Sequence, residues 1–193
     1  MKLVAFKLFH ERKATSMNKR LLKTIFCIGI CMALNSFASI VHVLPVWYES
    51  CEKQWYMLLG RNIGTSLWTA FDNEGPQEPI PLGIETLQKY TQGRYNLRNA
   101  PVDTALAAVV YGQHFFAVPV TERLSPKILR KARNSKKTDF TWVSVKELIG
   151  EGDVIDRRQR KSGRITVEPN FRATLRVIWT EFSKKLENNG CVK

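Results

Sequence analysis

The chain has 193 residues, 44% of them hydrophobic, with 30 Lys and Arg against 17 Asp and Glu, for a formal charge of +13 at pH 7. That apolar content excludes a disordered polyelectrolyte, and the length suits one domain with a substantial core rather than two of comparable size. No internal repeat or low-complexity tract divides the chain, and its four cysteines show no zinc-site spacing.

The N-terminal segment reads separately from the rest. Asn18-Lys19-Arg20-Leu21-Leu22-Lys23 is basic, Thr24 to Leu34 is apolar, and Asn35-Ser36-Phe37-Ala38-Ser39 follows. A basic start, a short apolar middle and small residues at 36 and 38 are the layout of a secretory signal peptide, with cleavage expected after Ala38. Residues 1–38 are therefore assigned to a leader, whose true start is either Met1 or Met17, and residues 39–193 to the domain. Export to a periplasmic or extracellular space follows. The apolar middle is shorter than the roughly 20 residues of an ordinary span. Two alternatives stand beside cleavage: a membrane anchor reaching through Val46 with its basic start in the cytoplasm, or a buried cytosolic helix. Cleavage removes Cys27 and Cys31 and leaves Cys51 and Cys191, either joined in an oxidising compartment or as two thiols. It also removes seven basic residues and one acid, so 23 basic residues face 16 acidic ones, about +7.

Ile40 to Trp47 and Trp55 to Asn62 are apolar and rich in β-branched or aromatic residues, and both predict strands. Trp68 to Gly75 and a Pro-rich link follow, with Asp72, Glu74 and Glu78 read as loop acids. Leu82 to Gly93 comes next and carries Glu85, whose ordinary reading is a solvated carboxylate on a helix surface. Thr104 to Tyr111 and Phe115 to Val120, interrupted by Gly112-Gln113-His114, suit adjoining buried strands or one bulged strand.

Within Phe140 to Ile149, Ser144 with Glu147 has the spacing of a capping box, so a short helix should begin at Ser144. From Glu168 to Leu186 the residues Phe171, Leu175, Ile178, Phe182 and Leu186 fall four, three, four and four apart, widened by Trp179. This is one apolar stripe on a helix that packs against a sheet. The element order predicts an α+β fold, an α/β/α sandwich with a mixed β-sheet.

Basic residues gather in two stretches. One holds Arg123, Lys127, Arg130, Lys131, Arg133, Lys136 and Lys137 with no acid after Glu122; the other holds Arg157, Arg158, Arg160, Lys161 and Arg164 around a turn at Ser162-Gly163. Converging in space, they would attract phosphate through Lys point charges and bidentate Arg forks; apart, they are solvated loops. Aromatic residues do not alternate with either stretch, so nucleic acid is not specifically indicated. His114 lies among apolar neighbours, as a packed histidine does, and no nucleophile elbow or Gly-rich phosphate loop is present. The acids Glu49 and Glu52 disfavour a thiolate at Cys51.

In element order, residues 40–187 resemble the Nudix hydrolase superfamily, most closely at Trp55 to Asn62 and Phe140 to Ile149. The family's motif runs Gly, five residues, Glu, seven residues, Arg-Glu-apolar-any-Glu-Glu-any-Gly, and its glutamates hold a divalent cation against a diphosphate. Here the motif is degenerate. With Leu87 in the apolar slot, Thr86, Lys89 and Tyr90 stand at the glutamate positions; moving back one residue restores Glu85 alone, beside Gln88 and Lys89. The resemblance implies two functions. The first is an exported Nudix-fold protein that binds a phosphorylated ligand or a protein partner without catalysis and without a cofactor, using Arg130, Lys131, Arg133, Arg157, Arg158, Arg160 and Lys161. The second is a divergent hydrolase of a nucleoside-diphosphate-linked substrate, with Mg or Mn on Glu74, Glu78 and Glu85 and with Glu85, Glu122 or Asp139 catalytic. Lys89 favours the first, because a positive charge in the site opposes a cation and attracts an anion.

Overall fold

Strand β1 (Ser39–Glu49) is the spine of the molecule, and its alternation of side chains between two faces decides where everything else packs. The computed structural model describes residues 38–96, 106–129, 137–156 and 163–188. The leader, with its cleavage site after Ala38 and its two cysteines, and Cys191 lie outside that description or at its edge. The described elements after β1 are β2 (Gln54–Asn62), β3 (Leu67–Thr69), β4 (Phe71–Gly75), α1 (Pro79–Thr91), β5 (Ala107–Val110), β6 (Gln113–Pro119), α2 (Pro126–Leu129), β7 (Lys137–Ser144), α3 (Val145–Ile149), β8 (Val154–Asp156), β9 (Gly163–Val167) and α4 (Pro169–Asn188).

The strands run in the order β5-β6-β1-β2-β3-β9-β8, with β4 also on β1 and β7 also on β2. Pairings β1–β6 and β3–β9 are parallel and the others antiparallel, so the sheet is mixed as expected. Both faces are covered. Leu44, Met57, Leu59 and Phe115 face the stripe of α4, in which Phe171, Leu175, Ile178, Trp179, Phe182 and Leu186 are all buried. Each such side chain contributes about 2 kcal/mol of gross burial energy. Val43, Leu58, Phe116 and Phe140 point the other way, onto Leu82, Leu87 and Tyr90 of α1. The result is the α/β/α sandwich that the element order predicts.

Three local features differ from the sequence expectations or resolve them. The segment read as an acidic loop is strand β4, because its backbone is taken by β1 in the register His42 with Asp72 and Ile40 with Glu74. Residues 107–119 form adjoining strands, closed by Tyr111-Gly112, both at positive φ as a two-residue hairpin turn requires. The short helix does begin after Ser144, yet the capping box does not form. The Ser144 hydroxyl donates to Gln54 Oε1 at 3.1 Å, and Glu147 Oε2 accepts from the Ile155 amide at 3.2 Å. At the other end of α3, Arg172 and Arg176 of α4 donate to the carbonyls of residues 147 to 150 and of Gly152.

The sheet is not closed evenly. β1 gives Ser39–Val43 to β4 and Val46–Glu49 to β2 on the same edge, and Ala70 carries the chain from β3 on β2 to β4 on β1. Pro45, which has no amide to donate, falls where the partner changes. The two partners diverge from this point.

Candidate functional site

Helix α1 is where the sequence resemblance would place the metal-binding carboxylates, and its geometry shows how the residues there are used. Its first position is Pro79, Glu78 is the N-cap without a side-chain bond, and no acid lies in the first turn. Thr86 and Tyr90 face inward and are fully buried. The Thr86 hydroxyl donates to the Leu82 carbonyl at 2.6 Å, and the Tyr90 hydroxyl donates to the Asp72 carbonyl at 3.1 Å. Burial pushes the Tyr90 phenol well above its ordinary range, with the Asp72 carboxylate adding to the shift, so it stays a donor. Those two positions are part of the core.

The acids themselves stand apart on the surface. Glu74 is exposed on β4, Glu78 is exposed at the helix start, and Glu85 is exposed on α1, where Gln77 Nε2 donates to it at 3.5 Å. Glu122 is exposed in the loop after β6. Asp139 lies on β7 opposite Arg61, and its carboxylate accepts from the Phe140 amide at 2.9 Å. Among the described residues, no three His, Cys, Asp or Glu side chains come close enough to hold a metal ion. The set Glu74, Glu78 and Glu85 therefore does not gather, and the residues present do not fit the divalent cation that the fold family implies. Of the expected phosphate-binding residues, Arg130, Lys131, Arg133, Arg157, Arg158, Arg160 and Lys161 all lie outside the described residues.

What the fold does assemble, beside the point where β4 and β2 diverge, is a polar cluster. Lys137, grouped in the sequence with the first basic stretch, has a side chain with no exposure at all. Its ammonium donates to Asp72 Oδ1 at 2.5 Å and to Asn62 Oδ1. Its stem crosses Gly60, where an added Cβ would sit 2.8 Å from Lys137 Cγ. A buried cation demands such partners, because an unpaired one costs several kcal/mol. No local pattern reveals this role, since Asn62 and Asp72 are supplied from 75 and 65 residues away.

His42, opposite Asp72 on β1, stacks on Phe115 at 4.4 Å and donates through Nε2 to Gln113 Oε1 at 2.9 Å. In that tautomer Nδ1 carries the lone pair, and it is buried with no hydrogen-bond partner among the described residues. Burial holds the imidazole below its ordinary pKa, so the ring stays neutral. A depression of about 400 Å³ beside α3 is lined by Gln54, Ser144, Lys146, Glu147 and Asp153. With two carboxylates against one ammonium it is poorly suited to an anion.

No protein-family model and no curated protein matches the chain. Solved structures do. A MutT/nudix family protein from Enterococcus faecalis is similar with a TM-score of 0.52 at 11% identity, over 97% of this chain and 76% of that one. An Ap4A hydrolase from C. elegans gives 0.48 at 9% identity, over 79% and 99%, and a mutT/nudix family protein from Listeria innocua gives 0.44 at 9%, over 79% and 98%. With its mixed sheet between α1 and α4, the chain has the Nudix fold.

Proposed function

We propose that this Nudix-fold protein binds a phosphorylated ligand and does not hydrolyse it. The observation that carries the reading is the conversion of α1: two of its three carboxylate positions are core residues, Thr86 and Tyr90, and the third is the exposed cation Lys89. A magnesium ion needs oxygen ligands converging within about 2.1 Å of one point. The exposed acids Glu74, Glu78 and Glu85 offer no such convergence, and Lys89 repels a cation and attracts an anion.

The positive balance of the domain supports an anionic ligand, with 23 basic against 16 acidic residues after the leader. The basic segments around residues 130–136 and 157–162 are the proposed electrostatic surround. Export belongs to the same proposal and rests on the leader's layout; mass spectrometry of the mature protein should find Ser39 at its N-terminus.

A phosphate-release screen across nucleoside diphosphate derivatives, with Mg²⁺ or Mn²⁺, tests the catalytic half. The proposal expects no turnover above background from folded protein, while phosphorylated compounds raise its melting temperature. Metal-dependent turnover that is lost in Glu85→Gln overturns it and establishes a hydrolase with a rebuilt site.

A further inference from the structure

Most of the described arginines have committed their N–H groups within the fold. Arg164 pairs with Asp153 at 3.0 Å, and Arg172 and Arg176 hold the carbonyls at the end of α3. Arg61 and Arg94 have other partners. Arg123 is different: among the described residues its guanidinium meets only aromatic rings, 5.0 Å from the Tyr56 centroid and 5.6 Å from that of Trp47.

The loop that carries Arg123 is held on both sides. The Tyr95 hydroxyl donates to the Glu122 carbonyl at 2.8 Å and accepts from the Leu124 amide at 3.1 Å. Trp142 Nε1 donates to the Leu124 carbonyl at 2.9 Å. Tyr95 and Trp142 are themselves buried, and burial pushes the Tyr95 phenol well above its ordinary range, which keeps its proton in place. The backbone before and after Arg123 is thus held by the core, and the guanidinium lies over the Tyr56 and Trp47 rings. Both contacts lower the ordering cost that usually weakens a surface arginine.

A contact with ring faces uses no N–H group of a guanidinium, and its fork can grip two oxygens of one anion. Lys127 follows four residues later as an exposed cation at the second position of α2, and suits a double rather than a single negative charge. A nucleic-acid base is disfavoured because Arg123 already lies over the rings on which it would stack.

Resting on the anion-binding reading above, we infer that Arg123, held by Tyr56 and Trp47, anchors a site for a phosphoryl dianion, with Lys127 supplying the second charge. Titration of the full chain with sodium pyrophosphate, followed by calorimetry, tests it. Arg123→Gln should weaken binding at least about tenfold, the worth of a charge-assisted bidentate pair. Arg123→Lys should recover only part of that loss, because it keeps the charge and forfeits the fork. Acetate at equal ionic strength should not compete. Equal affinity in wild type and Arg123→Gln, with unchanged melting temperature, overturns the inference and leaves the anion-binding reading standing. No pyrophosphate binding by the wild type overturns both. Arg123-dependent binding of single-stranded oligonucleotide without pyrophosphate binding replaces the phosphoryl site with a nucleic-acid one.

Discussion

The acids of the α1 segment and the charges at the divergence of the sheet are used in opposite ways. Glu74, Glu78 and Glu85 are exposed and separate. A few residues from Glu74, Asp72 is locked to a lysine with no solvent exposure, with Asn62 on the other side of the ammonium. Closeness in sequence therefore does not bring Glu74, Glu78 and Glu85 together. Asp72, which is firmly held, already has a cation, and that cation is covalently part of the chain.

If that contrast is real, removing a charge should matter greatly inside and hardly at all on α1. Asp72→Ala removes a carboxylate paired with the enclosed Lys137 ammonium and should cost about 3 kcal/mol in urea unfolding. Lys137→Met should cost less, because Asp72 is 35% exposed and can rehydrate. Equal and small losses from both would break the contrast, since the pair would then be ordinary surface charge.

Gly60→Ala sharpens the same point without touching a charge. The new methyl would press on Lys137 Cγ, and the lysine cannot swing away while its ammonium is held, so a loss of about 2 kcal/mol is expected in thermal or chemical unfolding. A neutral result means the Lys137 stem has room to shift.

A smaller effect is expected from pH. His42 is held neutral by burial, so the folded state takes up its proton at lower pH than the unfolded chain does. The histidine contribution is complete above the unfolded value of about 6.5 and is lost as pH falls from there to the depressed folded value, with a slope no steeper than about 1.4 kcal/mol per pH unit. Comparing wild type with His42→Gln between pH 7.5 and 5 isolates it. A wild-type advantage that shrinks as pH rises would contradict the assignment of burial as the dominant cause.

Much of the fold was legible in the sequence, and the reasons are local. The spacing of Phe171, Leu175, Ile178, Phe182 and Leu186 fixes a helical stripe before any tertiary information exists, and all five are buried. β4 was not legible, because Phe71-Asp72-Asn73-Glu74-Gly75 is poor in strand-forming residues and becomes a strand through its pairing with β1. The capping box failed for a related reason: Ser144 and Glu147 had the spacing, but Gln54, 90 residues away, took the hydroxyl. At the site, the burial of Thr86 and Tyr90 on the inner face of α1 follows from their helical spacing, whereas the burial of Lys137 could not be read. The enclosure of a charge depends on partners brought from two other strands.

The smallest expected effect belongs to the surface acid, and it also tests the central claim most directly. Calorimetric titration of the full chain with Mg²⁺ and Mn²⁺ should give no saturable heat for wild type, and Glu85→Gln should match it in both titration and melting temperature. Stoichiometric uptake by wild type that disappears in Glu85→Gln would contradict the account, because the exposed acids would then gather around a metal after all.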